Sequence, residues 1–301
     1  MDRIEKVRRF ALRPYTKLKR FVRDEIVFLP RRLGSEERAL PDYLILGAMK
    51  CGTTSLLFYL NQHPQILAAY KKEVRYFSVH YQRGEAWYRA HFPRVLALCA
   101  TQSSERPRVI TGEATPDYLF HPHIPMRVHE SVPKAHLIAI LRNPVERAFS
   151  HYNHNRRAEH TFGQNREPLD FLDALEAEER RLAGERERML GDPDYNSMVY
   201  SRYSYMKRGV YIDQLVRYAE LFGKEFLLVL RSEDFYNNPQ SVYDTTTDFL
   251  RVDRYTVPNL TAMNVNRYSN MDPQARKYLE RFFAPYNERL SEFLGYDLQW
   301  S

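Results

Sequence analysis

The stretch 45-ILGAMKCGTTSLLFYLNQHP-64 decides the fold of this protein. An apolar run enters a turn bounded by Gly47 and Gly52, and a segment of helical character follows. This order is typical of a phosphate-binding loop, because a helix N-terminus offers unpaired N–H groups and the positive end of the helix dipole. In a nucleoside-triphosphatase loop the lysine follows the last glycine and precedes a serine or threonine. Here Lys50 comes two residues before Gly52, so the loop predicts a different phosphate ligand.

The turn and the first residues of the helix supply several groups that suit an anion. Lys50 adds a cation, and three hydroxyl-bearing residues stand together at the start of the predicted helix. Cys51 is interpreted as a small filler in the turn, since a reactive thiol needs separate support. We expect the phosphate-bearing ligand to contact Lys50, Cys51, Gly52, Thr53, Thr54 and Ser55.

A second anion-binding segment is predicted in 137-LIAILRNPVERAFSHYNH-154. A buried strand delivers Arg142 at its carboxyl end, Asn143 suits a helix N-cap, and Pro144 suits the first helical position. Arginine offers two parallel N–H groups to a phosphate. Ser150 follows about two helical turns later. Arg142 and Ser150 can therefore meet one anion if the helix folds back beside the arginine.

From residue 41 onward, short apolar runs alternate with segments of helical character. The runs are rich in leucine or β-branched residues, as strands buried on both faces of a parallel sheet are. The strand candidates are 43-YLIL-46, 108-RVITG-112, 136-HLIAIL-141 and 226-FLLVL-230, and the helix candidates lie near 53–61, 145–157, 211–222 and 239–250. This alternation predicts an α/β fold with a doubly wound parallel sheet flanked by helices. An apolar stripe near the C-terminus is interpreted as core, and its members are Leu279, Phe282, Phe283, Tyr286, Leu290 and Phe293.

Residues 158–208 interrupt this alternation. Their first part, 173-DALEAEERRLAGERERM-189, is highly charged and predicts a solvated helix, and 195-YNSMVYSRYSYMKRG-209 is dense in tyrosine. An insertion of this kind on an α/β scaffold often forms a lid or a binding wall. A structural excursion without a ligand role is the alternative interpretation.

Composition indicates a globular protein: 44% of the 301 residues are hydrophobic and 14% are aromatic. No apolar run reaches the length of about 18 residues that a transmembrane helix needs, and the first 30 residues lack a signal-peptide core. Cys51 and Cys99 are too few for a disulfide framework and lack metal-ligand spacing. We therefore expect a cytoplasmic location, where thiols stay reduced.

The net charge of +7 is concentrated at the N-terminus, where residues 1–40 hold twelve Lys or Arg and six Asp or Glu. The segment 3–29 interleaves apolar and basic residues, as a surface helix on anionic lipid does, although Pro14 interrupts it. We expect a basic arm over residues 1–40 that contacts a membrane surface or packs on the following domain. Nucleic acid is not an expected partner, because no recognised binding module accompanies the charge.

Together, the loop and the arginine–serine pair resemble the two nucleotide-binding motifs of the sulfotransferases that use 3′-phosphoadenosine-5′-phosphosulfate (PAPS). The resemblance extends over residues 41–301 and looks closest to the carbohydrate branch, which includes the heparan sulfate N- and 3-O-sulfotransferases. It implies one sulfotransferase domain with a P-loop-type sheet. It also implies that the loop holds the 5′-phosphosulfate, while Arg142 and Ser150 hold the 3′-phosphate. We expect no essential metal, since a phosphosulfate has no β,γ-phosphate pair to chelate.

Further stretches carry the resemblance to this branch, namely 71-KKEVRYFS-78, 112-GEATPDYLF-120 and 205-YMKRGVYIDQLVRYAELFGKEFLLVLRSEDF-235. They imply that Glu73 is the catalytic base and that the acceptor contacts Arg75, Tyr76, Glu113 and Tyr118. The chain departs from the family pattern at Ala114, where a lysine is usual, at Ser78, and in 260-LTAMNVNRYSNMDP-273, which lacks the cysteine-bridged loop of the animal enzymes. Arg267, in that last segment, is the candidate for the remaining nucleotide contact.

The predicted roles follow from the charge that develops during transfer. Lys50 and the helix N-terminus lie where negative charge grows on the departing adenosine bisphosphate. Glu73 takes the proton of the acceptor in this hypothesis, or else it only pairs with a neighbouring lysine. The rival candidates for the base are histidines, and they are His63, His80, His121 and His123.

The acceptor is expected to be a glycan or glycolipid hydroxyl or amine, because aromatic side chains at 76, 77, 118 and 195–211 suit stacking on sugars. A phenol or a lipid headgroup suits such walls equally. Two other functions compete with sulfuryl transfer. One is an ATP-dependent kinase, which the order of lysine and glycine disfavours, and the other is a non-catalytic nucleotide-binding protein at a membrane surface.

Overall fold

A computed structural model describes residues 26, 28–99, 108–157, 166–263 and 270–300. Its centre is a sheet of five strands in the order β2-β3-β1-β4-β5, and every strand pair is parallel. The strands are β1 (Tyr43–Gly47), β2 (Ile66–Ala68), β3 (Ile110–Ala114), β4 (His136–Leu141) and β5 (Leu227–Arg231). The predicted α/β fold with a central parallel sheet is confirmed. The edge strand β2 escaped prediction because three residues are too few for a recognisable pattern.

The strand order puts β1 at the centre, with β3 on one side and β4 on the other. The chain leaves β1 for the β2–β3 edge and later crosses over to β4 and β5. In such a sheet the ligand crevice lies beyond the carboxyl ends of the strands, where the order reverses. The crevice of this protein therefore opens beyond Gly47, at the start of the predicted phosphate loop.

Helices cover the sheet and agree closely with the predicted segments where these existed. They are α1 (Thr53–Leu60), α2 (Tyr76–Val79), α3 (Glu85–Arg89), α4 (Val95–Cys99), α5 (Ile124–Ser131), α6 (Pro144–Arg157), α7 (Phe171–Glu176), α8 (Glu178–Leu182), α9 (Glu185–Gly191), α10 (Met198–Tyr203), α11 (Tyr211–Phe222), α12 (Ser232–Asn237), α13 (Pro239–Leu250) and α14 (Pro273–Leu294). Short 3-10 turns occupy Tyr81–Arg83, Lys207–Gly209 and Lys224–Phe226. Helix α6 begins at Pro144 as predicted, and Asn143 Oδ1 accepts the N–H of Val145 at 2.9 Å.

The core is densest around β1, whose five residues are all buried. Gly112 of β3 pairs with Tyr43 of β1, and a Cβ at Gly112 would lie 2.5 Å from the Tyr43 ring. Glycine is therefore required at this crossing of the two strands. The C-terminal stripe also packs as predicted, because Leu279, Phe283 and Leu290 of α14 are buried.

Residues 166–208 form four short helices rather than one long charged helix. The expected solvated helix over 173–189 is wrong, since α7, α8 and α9 divide this stretch and Gly184 takes a positive φ of 75° between the last two. Glu178 is fully buried, and its carboxylate accepts the N–H groups of Met206 and Lys207 at 2.6 and 2.8 Å. The role of 158–208 as a lid or binding wall stays a prediction, as do the domain boundaries.

The described part of the N-terminal segment includes a helical stretch over residues 28–33. Phe28 packs among the rings of Tyr70, Trp87 and His91, while Ile26, Leu29 and Leu33 project outward and are more than half exposed. None of the described helices combines the length and the hydropathy that a membrane span requires.

Candidate active site

The loop between β1 and α1 has the backbone shape of an anion-binding turn. Lys50 and Gly52 both take positive φ angles, 74° and 105°. A Cβ at Gly52 would meet Tyr236 Oη at 3.2 Å. Helix α1 starts at Thr53 without a side-chain cap, so its first N–H groups face the crevice unpaired by a capping residue. This end of the helix can therefore bind an anion.

Basic side chains from distant parts of the chain lie within electrostatic range of Lys50 in this turn. Burial lowers the pKa of Lys50, and the nearby guanidinium of Arg142 lowers it further. Burial lowers the pKa of His154 most, and the charges of Lys50 and Arg202 lower it further. Lys50 is therefore within electrostatic range of Arg142, at the end of β4, and of His154 on helix α6. An anion bound here would relieve the repulsion among these cations.

Helix α6 places Ser150 on the side of the crevice where these cations lie. Ser150 is buried, and it stands one helical turn before His154, whose pKa responds to Lys50. Arg142 follows the last residue of β4, and its guanidinium lies 3.9 Å from the Glu146 carboxylate. The structure therefore brings Lys50, Arg142 and the face of α6 that carries Ser150 to one end of the sheet.

Two of the predicted loop ligands point away from the crevice. The Cys51 side chain is fully buried and lies 3.8 Å from Tyr211 Oη. Burial raises the pKa of the Cys51 thiol to about 11, which agrees with its interpretation as a filler. Ser55 is also fully buried, and its Oγ accepts the N–H of Met263 at 2.9 Å. Their contribution to ligand binding stays a prediction and would come through the backbone.

Glu73, the predicted base, reaches the loop through a lysine. The Lys72 ammonium donates to Thr54 Oγ1 at 2.7 Å and lies 3.5 Å from the Glu73 carboxylate. The side chain of Glu73 is 44% exposed, so an acceptor can approach it. Lys72 thus bridges the candidate base and the first turn of α1. Sequence reasoning considered Lys72 only as a neighbouring charge, because its contact with Thr54 depends on the fold.

Arg75 belongs to a partly buried ion network beside Glu73. Its guanidinium lies 3.1 Å from Asp117, and that carboxylate also binds Arg208 at 3.0 Å. Burial opposes ionisation of Asp117, but the two arginines outweigh this effect and lower its pKa. A small cavity of about 50 Å³ adjoins the network. Within the described part of the chain, Arg75 Nε, Arg208 Nε and His121 Nε2 line it without hydrogen-bond partners.

The other predicted acceptor residues are buried behind this surface. Tyr76 is stacked on Tyr88 with ring centroids 4.3 Å apart, while Glu113 and Tyr118 are 1% and 0% exposed. These three side chains contact protein groups, so the expected stacking of sugars on Tyr76 and Tyr118 does not match their position. Their assignment as acceptor-binding residues stays a prediction, and their geometry favours a supporting role.

The prediction from sequence missed three residues that the structure places near the candidate site, and one predicted residue lies outside the described part of the chain. His154 could have been found from its spacing of four residues after Ser150 on the same helix. Arg208 and Asp117 carried no local signal, because they meet only across the fold. The predicted nucleotide contact Arg267 lies outside the described residues. Among those that are described, no group of three potential metal ligands is found, and the expected independence from metal stays a prediction.

Comparison with known proteins agrees with this geometry. The family described as the sulfotransferase domain matches residues 40–280. The crystal structure of a sulfotransferase from Alicyclobacillus acidocaldarius is 33% identical in sequence, with a TM-score of 0.67. The likeness covers 87% of this chain and 99% of the bacterial one.

Two curated relatives are similar over most of this chain. The membrane-associated sulfotransferase kil1 of Dictyostelium discoideum is 28% identical over 87% of this chain and 66% of its own length. The human heparan sulfate glucosamine 3-O-sulfotransferase 6 is 27% identical over 90% of this chain and 77% of its own length. The chain therefore spans only part of the length of either relative.

These relatives contradict the predicted cytoplasmic location, because the Dictyostelium protein is named membrane-associated. The prediction is wrong for a physical reason: a core of this size folds without disulfides, so a low cysteine count does not report the compartment. The match over residues 40–280 shows that the chain belongs to the sulfotransferase domain family, and the prediction of a sulfotransferase enzyme is confirmed.

Proposed function

We propose that the protein transfers a sulfuryl group from PAPS to a hydroxyl or amine of a glycan acceptor. One observation carries the proposal: Lys50, Arg142 and the N-terminus of α1 converge at one end of the sheet, and Lys72 links this site to Glu73. Family membership supports the donor. A glycan acceptor is supported by the similarity to a protein named as a heparan sulfate sulfotransferase.

PAPS presents two anionic groups, and the crevice offers a separate set of side chains for each. Lys50 and the free N–H groups of α1 suit the 5′-phosphosulfate. Arg142 and Ser150 suit the 3′-phosphate, since arginine binds phosphate through two parallel N–H groups. Burial and, to a smaller extent, the Arg142 charge lower the pKa of Lys50, and binding of these anions would favour its charged form.

The reaction is an in-line displacement at sulfur. A lone pair of the acceptor oxygen or nitrogen attacks the sulfur atom, and the bond from sulfur to the bridging oxygen breaks. The electron pair stays on the 5′-phosphate of adenosine 3′,5′-bisphosphate, where Lys50 stabilises it by about 3–4 kcal/mol on the scale of oxyanion sites. Glu73 accepts the proton of the acceptor, a role that contributes a factor of about 10²–10⁴ to the rate.

The acceptor is proposed to bind between Glu73 and the insertion. The small cavity beside Arg75, Asp117 and Arg208 holds buried N–H groups without partners, and these suit a single polar group of a sugar. Residues 158–208 would then form one wall of the acceptor site. A kinase is not supported, because the family match concerns sulfuryl transfer.

We also propose that the N-terminal segment contacts a membrane surface. Ile26, Leu29 and Leu33 are exposed at the start of the described chain, next to a strongly basic sequence. Exposed apolar side chains beside basic residues suit the boundary between lipid headgroups and acyl chains. The similarity to a membrane-associated sulfotransferase supports this proposal.

The central test measures transfer of ³⁵S from labelled PAPS to heparan sulfate by the wild type, Glu73→Gln and Lys50→Ala. We expect Glu73→Gln to lose at least about 10²-fold in kcat with unchanged affinity for adenosine 3′,5′-bisphosphate, since the base acts only on the acceptor. Lys50→Ala should lose both turnover and nucleotide affinity. Glu85→Gln is the matched control on an exposed carboxylate. Near-normal turnover of Glu73→Gln would exclude it as the base.

A further inference from the structure

The segment that carries Glu73 has an unusual backbone. Glu73 and Arg75 both take left-handed conformations, with φ angles of 55° and 58°. Residues with a Cβ rarely adopt this region, so two such residues within three positions must be held by their surroundings.

Glu113, the fourth residue of β3, faces this segment from the interior. Its carboxylate is 1% exposed and accepts four hydrogen bonds. Oε2 accepts from Val74 N–H at 3.3 Å and from Thr115 Oγ1 at 2.8 Å. Oε1 accepts from Tyr88 Oη at 2.9 Å and from Tyr118 Oη at 3.0 Å. An ionised carboxylate has about four acceptor sites, so Glu113 is saturated.

Two of the hydroxyl groups that donate to Glu113 also accept hydrogen bonds from the backbone of the segment that carries Glu73. Thr115 Oγ1 accepts the N–H of Arg75 at 3.3 Å, and Tyr118 Oη accepts the N–H of Phe77 at 3.4 Å. The backbone N–H groups of residues 74, 75 and 77 are therefore hydrogen-bonded to Glu113, the first directly and the other two through one hydroxyl each. Since a carboxylate cannot donate, it orients both hydroxyls so that their lone pairs meet the backbone N–H groups.

We infer that Glu113 is a positioning residue that fixes the backbone of residues 73–77 and so aims the Glu73 carboxylate at the acceptor. This inference rests on the proposed function of Glu73. We propose this role in place of direct contact with the acceptor, because all four hydrogen bonds of Glu113 go to protein groups. Burial raises the pKa of Glu113, and the four hydrogen bonds that its carboxylate accepts oppose part of this effect.

The structure offers a matched set of variants. Glu113→Gln keeps the shape but turns one acceptor into a donor, which conflicts with the four donors around it. Thr115→Val removes only the hydroxyl between Oε2 and Arg75 N–H. Tyr88→Phe is the control, because it removes a donor to the same carboxylate without releasing an amide of the base segment.

Two measurements on the full chain test the inference. Hydrogen exchange should be at least tenfold faster at the amides of 74, 75 and 77 in Glu113→Gln, and at 75 in Thr115→Val, with strand β1 unchanged. With labelled PAPS and heparan sulfate, kcat should fall by about 10²-fold in Glu113→Gln, since a displacement of about 1 Å is sufficient for such a loss. Affinity for adenosine 3′,5′-bisphosphate should stay unchanged, and Tyr88→Phe should lose less than about threefold in kcat.

Other results would overturn the inference. A higher KM for the acceptor with unchanged kcat and unchanged exchange would show that Glu113 contacts the acceptor directly. Equal losses in Tyr88→Phe and Thr115→Val would indicate a general destabilisation instead. If the wild type transfers no sulfuryl group from PAPS, the proposed function fails, while the exchange data still decide whether Glu113 holds the segment.

Discussion

Glu178 is expected to make the stability of this protein fall as the pH rises through neutrality. Its fully buried carboxylate accepts two backbone N–H groups, from Met206 and Lys207. Burial nevertheless raises the pKa of Glu178 to about 7, because these hydrogen bonds and the nearby Arg147 offset only part of the desolvation. The folded protein thus holds a proton here that the unfolded chain, with a glutamate pKa near 4.3, releases at lower pH.

The direction in which the free energy of unfolding changes with pH follows from proton linkage. Between about pH 4.3 and 7 the folded state binds more protons at this site than the unfolded state does, so the free energy of unfolding falls as the pH rises. The stabilisation is complete below about pH 4.3 and is lost once the pH passes 7, which amounts to about 4 kcal/mol. For a protein of this size that loss corresponds to a decrease in Tm of about 6 °C.

The assay compares Tm at pH 5 and pH 8 for the wild type, Glu178→Gln and Glu179→Gln. Buried histidines act in the opposite sense, since burial lowers the pKa of His91 and His121 to about 3. The prediction therefore concerns the difference between proteins that share these histidines. Relative to the wild type, Glu178→Gln should lose about 4 °C less between pH 5 and pH 8, because part of the stabilisation is already lost at pH 5. The exposed neighbour Glu179 is the matched control, and its variant should behave as the wild type. An unchanged pH dependence in Glu178→Gln would refute the reasoning.

Two further predictions concern the nucleotide and the membrane. Arg142→Ala should weaken binding of adenosine 3′,5′-bisphosphate by about 10²-fold, measured by calorimetry, because a charge-assisted phosphate contact is lost. The affinity for 5′-AMP should change little, and an equal loss for both nucleotides would place Arg142 away from the 3′-phosphate. The double variant Leu29→Ser, Leu33→Ser should float at least about tenfold less with phosphatidylserine vesicles, since each buried leucine contributes about 1.5–3 kcal/mol. Leu96→Ser alters an equally exposed leucine elsewhere and should float as the wild type does.

The sequence predicted best those features that depend on neighbouring residues. The apolar run of β1, the glycines of the loop and the hydroxyls opening α1 are contiguous, so their spacing alone indicates strand, turn and helix. The start of α6 was predicted for the same reason, because Asn143 and Pro144 are local signals. The short strand β2 was not predicted, because only its pairing with β3 identifies it as a strand.

Prediction failed where the environment of a side chain comes from distant residues. The polarity of 173–189 indicated a solvated helix, yet Glu178 is buried because amides 28 and 29 residues away donate to it. Glu113 and Tyr118 were expected at the acceptor; both side chains lie in the interior, where Glu113 accepts hydrogen bonds from Tyr118 and from the backbone beside Glu73, and their acceptor role stays a prediction. A sequence pattern gives the chemical type of such a residue and not which atoms surround it.

By itself the sequence predicted the loop after β1 and the parallel α/β sheet, and its resemblance to the PAPS-dependent sulfotransferases implied the chemistry. The displaced Lys50 and the arginine–serine pair after β4 are local motifs whose spacing fixes their geometry. Only the tertiary structure decided that Lys72 links Glu73 to Thr54, and that Glu113 accepts a hydrogen bond from Val74, next to Glu73. These contacts require β3 to lie between β2 and β1, and strand order results from packing of the whole chain rather than from any one stretch of residues.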